Sequence, residues 1–193
     1  MRKDRLLAFS DGVFAIIITI MVLELKVPHD SDLAALFTVA PVFLSYVLSF
    51  VYVAIYWNSH HHMLELVQRV NGASLWANMF LLFWLSLVPF TTGWMGETHF
   101  AMWPTVLYGV TLLLPGIGYS VLQRVLIAAH RDNAALGTAI GRDLKGNLSL
   151  VLYVIGVGAA FLDTRISLAL YAVVALIWLV PDRRIERILT QEG

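Results

Sequence analysis

Long apolar runs separated by short polar connectors set the pattern of this chain from end to end. A helix that crosses a bilayer needs about 20 mostly apolar residues, with a range of about 17–25. Six runs approach that length, at about 6–25, 36–59, 73–92, 104–128, 148–162 and 166–180. Pro41 lies near the start of the second run, where its ring is tolerated. Pro89 is predicted to bend or end the third, Pro115 with Gly116 to kink the fourth, and Pro181 to stop the sixth. The last two runs are short, so they tilt little or extend through polar flanks. Helices that are apolar all round show no clear stripe. Faces are therefore read from the exceptional polar and small residues. The expected fold class is an all-α integral membrane protein, with residues 1–193 forming one six-helix transmembrane domain.

Composition agrees. Of 193 residues, 59% are hydrophobic and 13% charged, against about 25% charged in an ordinary soluble domain. Mean hydropathy is +0.77. The implied surroundings are a lipid bilayer. A net charge of zero and the lack of a dense basic patch argue against nucleic acid as a partner. The absence of cysteine excludes disulfides and thiolate metal sites. The first run is not a convincing signal peptide: it carries Asp11, ends in Glu24-Leu25-Lys26 and lacks a small-residue cleavage site, so it is read as a retained helix.

Orientation follows from the basic residues. With the N-terminus inside, Arg2, Lys3, Arg5, Arg69, Arg124, Arg131, Arg142, Lys145, Arg183, Arg184 and Arg187 share one side, and only Lys26 and Arg165 fall on the other. Both termini are therefore placed in the cytoplasm, which requires an even number of spans. The longest polar stretch, about 130–147, is a cytoplasmic loop with no sign of a soluble domain. No 20–50-residue repeat is visible.

The chemistry concentrates at one end. Arg5, Phe9, Ser10 and Asp11 open the first apolar run. A carboxylate at a bilayer centre costs about 2.5–3.5 kcal/mol on insertion scales, and less near the ends. Arg5 and Phe9 are i,i+4 neighbours able to stack as cation and ring. Asp11 lies six residues from Arg5, so its partner is sought on another span; the alternative is that Ser10 and Asp11 cap a helix start. Trp57-Asn58-Ser59-His60-His61-His62 falls at the same depth, and an imidazole there is a candidate partner for Asp11. Adjacent histidines diverge on a helix, which disfavours a three-His metal site. Interfacial histidines with a tryptophan anchor are the other reading. Asn78, buried by position in the third span, needs hydrogen bonds and is placed near this cluster.

Ile16, Thr19, Ile20 and Leu23 share one face of the first helix, at offsets of 3, 4 and 7. Lining a pore, they would form aliphatic layers that gate by dewetting; otherwise the stripe meets lipid or a neighbouring helix. Glu24, Asp30, Asp32 and Glu97 fall on the outer side, either as an acidic vestibule that concentrates cations or as solvated loop charges. No nucleophile–base pair or paired catalytic carboxylates stand out, so neither enzymatic activity nor a cofactor is expected.

Arg5-Leu-Leu-Ala-Phe9-Ser10-Asp11-Gly-Val-Phe-Ala-Ile16 resembles the signature that opens the first helix of the endosomal and lysosomal potassium channel family (transmembrane protein 175) and its prokaryotic relatives. The resemblance continues through Trp57 to His61 and Leu75-Trp76-Ala77-Asn78, covering the first half of the chain; the second half matches mainly in hydropathy. One signature and six spans resemble a prokaryotic member, with one unit per chain. The resemblance implies a homotetramer in a prokaryotic cell membrane, with a central potassium pathway lined by four first helices. It implies conduction without a Thr-Val-Gly-Tyr-Gly filter, which this chain lacks. The narrow aliphatic ring falls on Ile16, a hydroxyl layer on Thr19, and further apolar layers on Ile20 and Leu23. Arg5, Phe9, Ser10 and Asp11 are then structural, tied to His60, His61 and Asn78. Potassium passes near Thr19 without a fixed metal site.

The expected function is a potassium-selective leak channel with modest discrimination, passing rubidium and caesium and, more weakly, sodium. The alternative is a proton-conducting channel or proton-coupled secondary transporter using Asp11 with His60 or His61.

Overall fold

A computed structural model describes residues 3–28, 31–130 and 143–179. Arg2, Asp30, Arg131, Arg142, Arg183, Arg184, Arg187, Val180 and Pro181 lie outside the described residues, as does most of the expected 130–147 loop.

The described segments are helical: α1 Asp4–Leu23, α2 Leu33–Thr38, α3 Ala40–Glu65, α4 Gly72–Ser86, α5 Val88–Glu97, α6 Met102–Ala129, α7 Leu144–Ala159 and α8 Thr164–Leu179. Among them α1, α3, the run from α4 through α5, and α6 are long and apolar enough to cross a membrane. The helices α7 and α8 have 16 residues each, just short of the usual minimum of about 17.

Side chains set several helix starts. Asp32 accepts from the Ala35 N–H at 2.9 Å and opens α2, a short element that the hydropathy pattern does not separate from the second run. Asn71 accepts from the Ser74 N–H at 2.9 Å and opens α4. Asp143 accepts from the Gly146 N–H at 2.7 Å and opens α7. Each satisfies a donor that the first helical turn leaves unpaired. The α1 helix already starts at Asp4, so Ser10 and Asp11 sit inside it rather than capping it.

Two expected boundaries move. The third run breaks at Leu87 but does not end: Pro89 sits in the first turn of α5, where no N–H is needed, and helix continues to Glu97. The second run begins its long helix only at Ala40 and carries it through His60, His61 and His62 to Glu65. The α6 helix runs unbroken through Pro115.

The bundle is apolar outside and hydroxyl-rich inside. Large apolar side chains such as Phe43, Trp76, Phe83, Phe90, Val154 and Leu176 are exposed, while Ser45, Ser49, Thr91, Thr92, Thr105, Thr111 and Ser167 are buried. Ser49 Oγ meets Thr92 Oγ1 at 2.6 Å and Tyr108 Oη at 2.9 Å, joining α3, α5 and α6. Thr91 Oγ1 meets Thr111 Oγ1 at 3.0 Å, and Tyr52 Oη donates to the Tyr171 carbonyl. In lipid, apolar surface gives helices no reason to associate, so close packing and interhelical hydrogen bonds take that role. Tyr171 of α8 shows the packing. A Cβ on Gly109 would lie 1.9 Å from its Oη, and one on Gly156 would lie 2.6 Å from its Cε1. The phenol thus fits only because α6 and α7 both carry glycine where they face it.

Candidate functional site: the two faces of the first helix

Every third or fourth residue of α1 is buried: Leu6, Ser10, Phe14, Ile17 and Met21. This face packs against α3, α4 and α5. The opposite side of the helix is open among the described residues: Phe9 is 51% exposed, Ile16 59%, Ile20 41% and Leu23 77%, and Arg5 and Thr19 are exposed as well. Arg5, Phe9, Gly12, Ile16, Thr19 and Leu23 follow one another at alternating steps of four and three. That is the spacing of a seam on which helices meet. The Thr19 hydroxyl donates back to the Ala15 carbonyl at 2.8 Å, which leaves its oxygen lone pairs outward.

The buried face is held by a polar chain. Ser10 Oγ donates to the Leu6 carbonyl at 2.8 Å and accepts from Asn78 Nδ2 at 3.0 Å. Asn78 Oδ1 in turn pairs with His60 Nε2 at 2.7 Å. With Asn78 donating through its amide nitrogen, its oxygen must accept, so His60 is the Nε2–H tautomer. All three side chains are fully buried, and the His60 ring packs 5.7 Å from Phe14. This is how α1, α3 and α4 are fastened at one end of the bundle.

Asp11 uses a different partner from the expected imidazole. Its Oδ1 accepts from Trp57 Nε1 at 2.9 Å, while His60 is turned to Asn78. His61 stacks on the Trp57 ring, with centroids 5.7 Å apart and planes 25° apart, and its Nε2 lies 3.1 Å from Glu65 Oε1. Lys3 Nζ then donates to the Glu65 carbonyl at 2.8 Å. The carboxylate therefore belongs to a partly exposed line of Asp11, Trp57, His61, Glu65 and Lys3, separate from the buried Ser10–Asn78–His60 line. Trp57 and Glu65 were not singled out for this role by the sequence. The available signal was modest: an indole N–H is a donor in need of an acceptor, and Trp57 and Glu65 lie four residues either side of His61.

The acidic residues at the far end are partly engaged in structure. Glu97 pairs with Lys26 at 2.5 Å, Asp32 caps α2, and Glu24 Oε2 lies 3.1 Å from the position of a Cβ on Gly93. The turn that follows α5 carries His99 and Phe100 at φ 52° and 60°, conformations uncommon for residues with a side chain.

Comparison with known proteins bears on these features. A family model for the endosomal/lysosomal potassium channel TMEM175 matches residues 5–89, which span the buried line, the exposed line apart from Lys3, and the open face of α1. A potassium channel of Chryseobacterium sp. (strain P1-3) is 51% identical over 191 residues, covering 99% of this chain and all of that protein. The human endosomal/lysosomal proton channel TMEM175 is 36% identical over 83 residues, 37% of this chain and 16% of that protein. Among solved structures, the crystal structure of a lysosomal potassium-selective channel TMEM175 homolog from Chamaesiphon minutus superposes with a TM-score of 0.78 at 28% identity. It covers 91% of this chain and 95% of that one.

Proposed function

The chain belongs to the TMEM175 potassium-channel family, and from that premise we propose that it conducts potassium passively through a pore built by four copies. It is an integral membrane protein of an ion-channel family, not an enzyme. The observation that carries the reading is the contrast along α1: one face is fixed by Ser10, Asn78 and His60, and the other presents Ile16, Thr19, Ile20 and Leu23, exposed among the described residues. Four such faces around an axis give stacked aliphatic layers with one hydroxyl layer. Ser10 and Asp11, with Trp57, His60, His61 and Asn78, then hold each α1 at its angle, while Arg5 and Phe9, expected in the same cluster, lie on the open face instead.

In this reading α7 and α8 complete six spans, both termini are cytoplasmic, and the host is a prokaryotic cell membrane. The ends of the helices support a common depth: Lys3 meets Glu65, Lys26 meets Glu97, and the Arg69 N–H points at His130 Nε2 at 3.4 Å.

Aliphatic side chains supply no ligands to replace an ion's hydration shell. Ions therefore cross the Ile16 layer at least partly hydrated, and the layer conducts only when wet. Thr19 oxygens give local coordination. Selectivity among monovalent cations is then modest, with rubidium and caesium following potassium and sodium passing less well. The decisive experiment is purified protein in a planar bilayer under opposed potassium and sodium gradients. A reversal potential displaced toward the potassium equilibrium potential supports the reading; an electrically silent preparation of assembled protein sinks it.

Proton conduction draws support from the name of the human relative. Against it stands the placement of His60, which is buried behind α1 and paired with Asn78 rather than set on the open face. Reversal potentials under a pH gradient at symmetric potassium separate the two.

A further inference from the structure

Away from α1, a cavity of about 40 Å³ opens between α3, α6, α7 and α8. Since about 10–15 Å³ holds one water on this scale, the space takes a guest of two or three heavy atoms. Its walls are unusually aromatic for so small a space: Tyr52, Tyr56, Tyr119, Tyr153 and Trp178 all line it, with Asp143 at the end where α7 begins. Tyr56 and Tyr119 stand edge to face at 6.5 Å, and Tyr52 and Tyr153 are tilted at 6.2 Å.

The hydrogen bonds of the lining decide what the cavity can hold. Tyr56 Oη donates to the Leu112 carbonyl at 3.3 Å and Tyr119 Oη to the Ser59 carbonyl at 3.2 Å. Ser120 Oγ donates to the Gly116 carbonyl at 3.0 Å and Ser149 Oγ to the Lys145 carbonyl at 2.7 Å. Trp178 Nε1 donates to Ser149 Oγ at 2.8 Å, and Tyr52 Oη to the Tyr171 carbonyl. These six donors are spent on the protein; among the described lining residues the Ser59 and Tyr153 hydroxyls lie outside these bonds, so a guest meets mostly acceptor lone pairs and ring faces, together with one carboxylate. Asp143 uses Oδ1 on the Gly146 N–H; a Cβ on Gly146 would fall 2.1 Å from Oδ2, so the carboxylate as placed lies against the bare glycine backbone. Among the described residues the lining contains no Lys, Arg or His.

A cavity rich in acceptors and π-faces, short of donors and closed by a negative charge selects a compact cation that brings its own N–H donors. We propose that this cavity is a binding site for a small protonated primary amine of one or two carbons. The ammonium group sits between Asp143 Oδ2 and the Tyr119 and Tyr56 oxygens, and the methyl or ethyl group rests among the rings. The site is separate from the open face of α1, and the inference does not depend on conduction.

The test uses the full chain labelled with 5-fluorotryptophan in detergent micelles, with the Trp178 fluorine resonance assigned through Trp178→Phe. Methylammonium chloride is titrated at constant ionic strength against sodium chloride, with potassium chloride and methanol as parallel titrants. The expected result is a saturable shift of the Trp178 resonance with methylammonium, the other five tryptophans holding still. Asp143→Asn keeps the helix cap, since Asn caps as well as Asp, and is expected to raise the half-saturation concentration at least ten-fold. Three outcomes overturn the proposal: no saturable Trp178 shift, an equal shift from potassium or neutral methanol, or unchanged affinity in a folded Asp143→Asn protein. The cation and methanol arms decide the matter on the unsubstituted protein if that variant fails to fold.

Discussion

Trp57 Nε1 donates to Asp11 Oδ1 across 2.9 Å, so the carboxylate inside the first apolar run is held by an indole and not by a histidine. The arrangement places a donor on α3 opposite a charge on α1, and it leaves the histidines to other contacts. Trp57→Phe keeps a ring for His61 to stack on and removes only the N–H. Stability should fall by about 1–2 kcal/mol, the model-peptide range for a hydrogen bond between membrane helices. Thermal melts of the Trp57→Phe, Asp11→Asn and double variants check this. The two losses should be strongly non-additive; simple additivity means the pair is not coupled.

Asn78 bridges Ser10 and His60 and is fully buried. Asn78→Ala strands the His60 Nε2–H in the core, at a cost of about 1–3 kcal/mol for one buried unsatisfied donor. Size-exclusion profiles and melting midpoints should show a less stable assembly. Asn78→Ala protein that melts like the unsubstituted chain would remove the buried polar line as the fastening of α1.

Ile16→Asn replaces an exposed aliphatic side chain by an amide that wets readily. Single-channel current should rise and closed periods shorten, with melting midpoint little changed because Ile16 is mostly exposed among the described residues. Unchanged current from well-assembled Ile16→Asn protein would move the gate away from this layer.

Gly109→Ala drives a methyl group into Tyr171 Oη. Overpacking of this kind typically costs about 1–3 kcal/mol, and a lowered melting midpoint should report it. Tyr171→Phe withdraws the clashing oxygen, so the double variant should recover part of the loss. Failure of any recovery would mean that the α6–α8 contact is limited by the Tyr171 ring or by the Val157 Cγ2 atom lying 2.8 Å from the same position.

Much of the architecture was legible because bilayer thickness fixes helix length and few residues interrupt the runs. The Asn71 cap that opens α4 was not read from the sequence, although Asn before an apolar run is a common helix start. Pro89 left a bend and an end both open, because the same ring that breaks a helix also suits the first turn of the next; helix resuming at Val88, with Met95 and Gly96 in the core, gives the break without the end. The site was harder to read. Ser10 and Asn78 were visible as polar residues stranded in apolar runs, but their linkage through His60 and not His61 depends on how α3 is rotated. Trp57 looked like an interfacial anchor, since nothing local reveals that its indole N–H points at α1. The amine cavity left no sequence signal, because its walls come from four helices and its character depends on where each hydroxyl hydrogen is already committed.

Ser49, meeting Thr92 and Tyr108 together, sets more than adhesion. Greasy surfaces slide along one another with little change in energy, but a hydroxyl trapped between two others tolerates neither a shift along the membrane normal nor a turn of the helix. That three-way contact acts as an alignment pin for α3 against α5 and α6. Because α3 carries both Trp57 and His60 eight and eleven residues further on, a slip at the pin of a single residue would swing both partners of α1 out of reach.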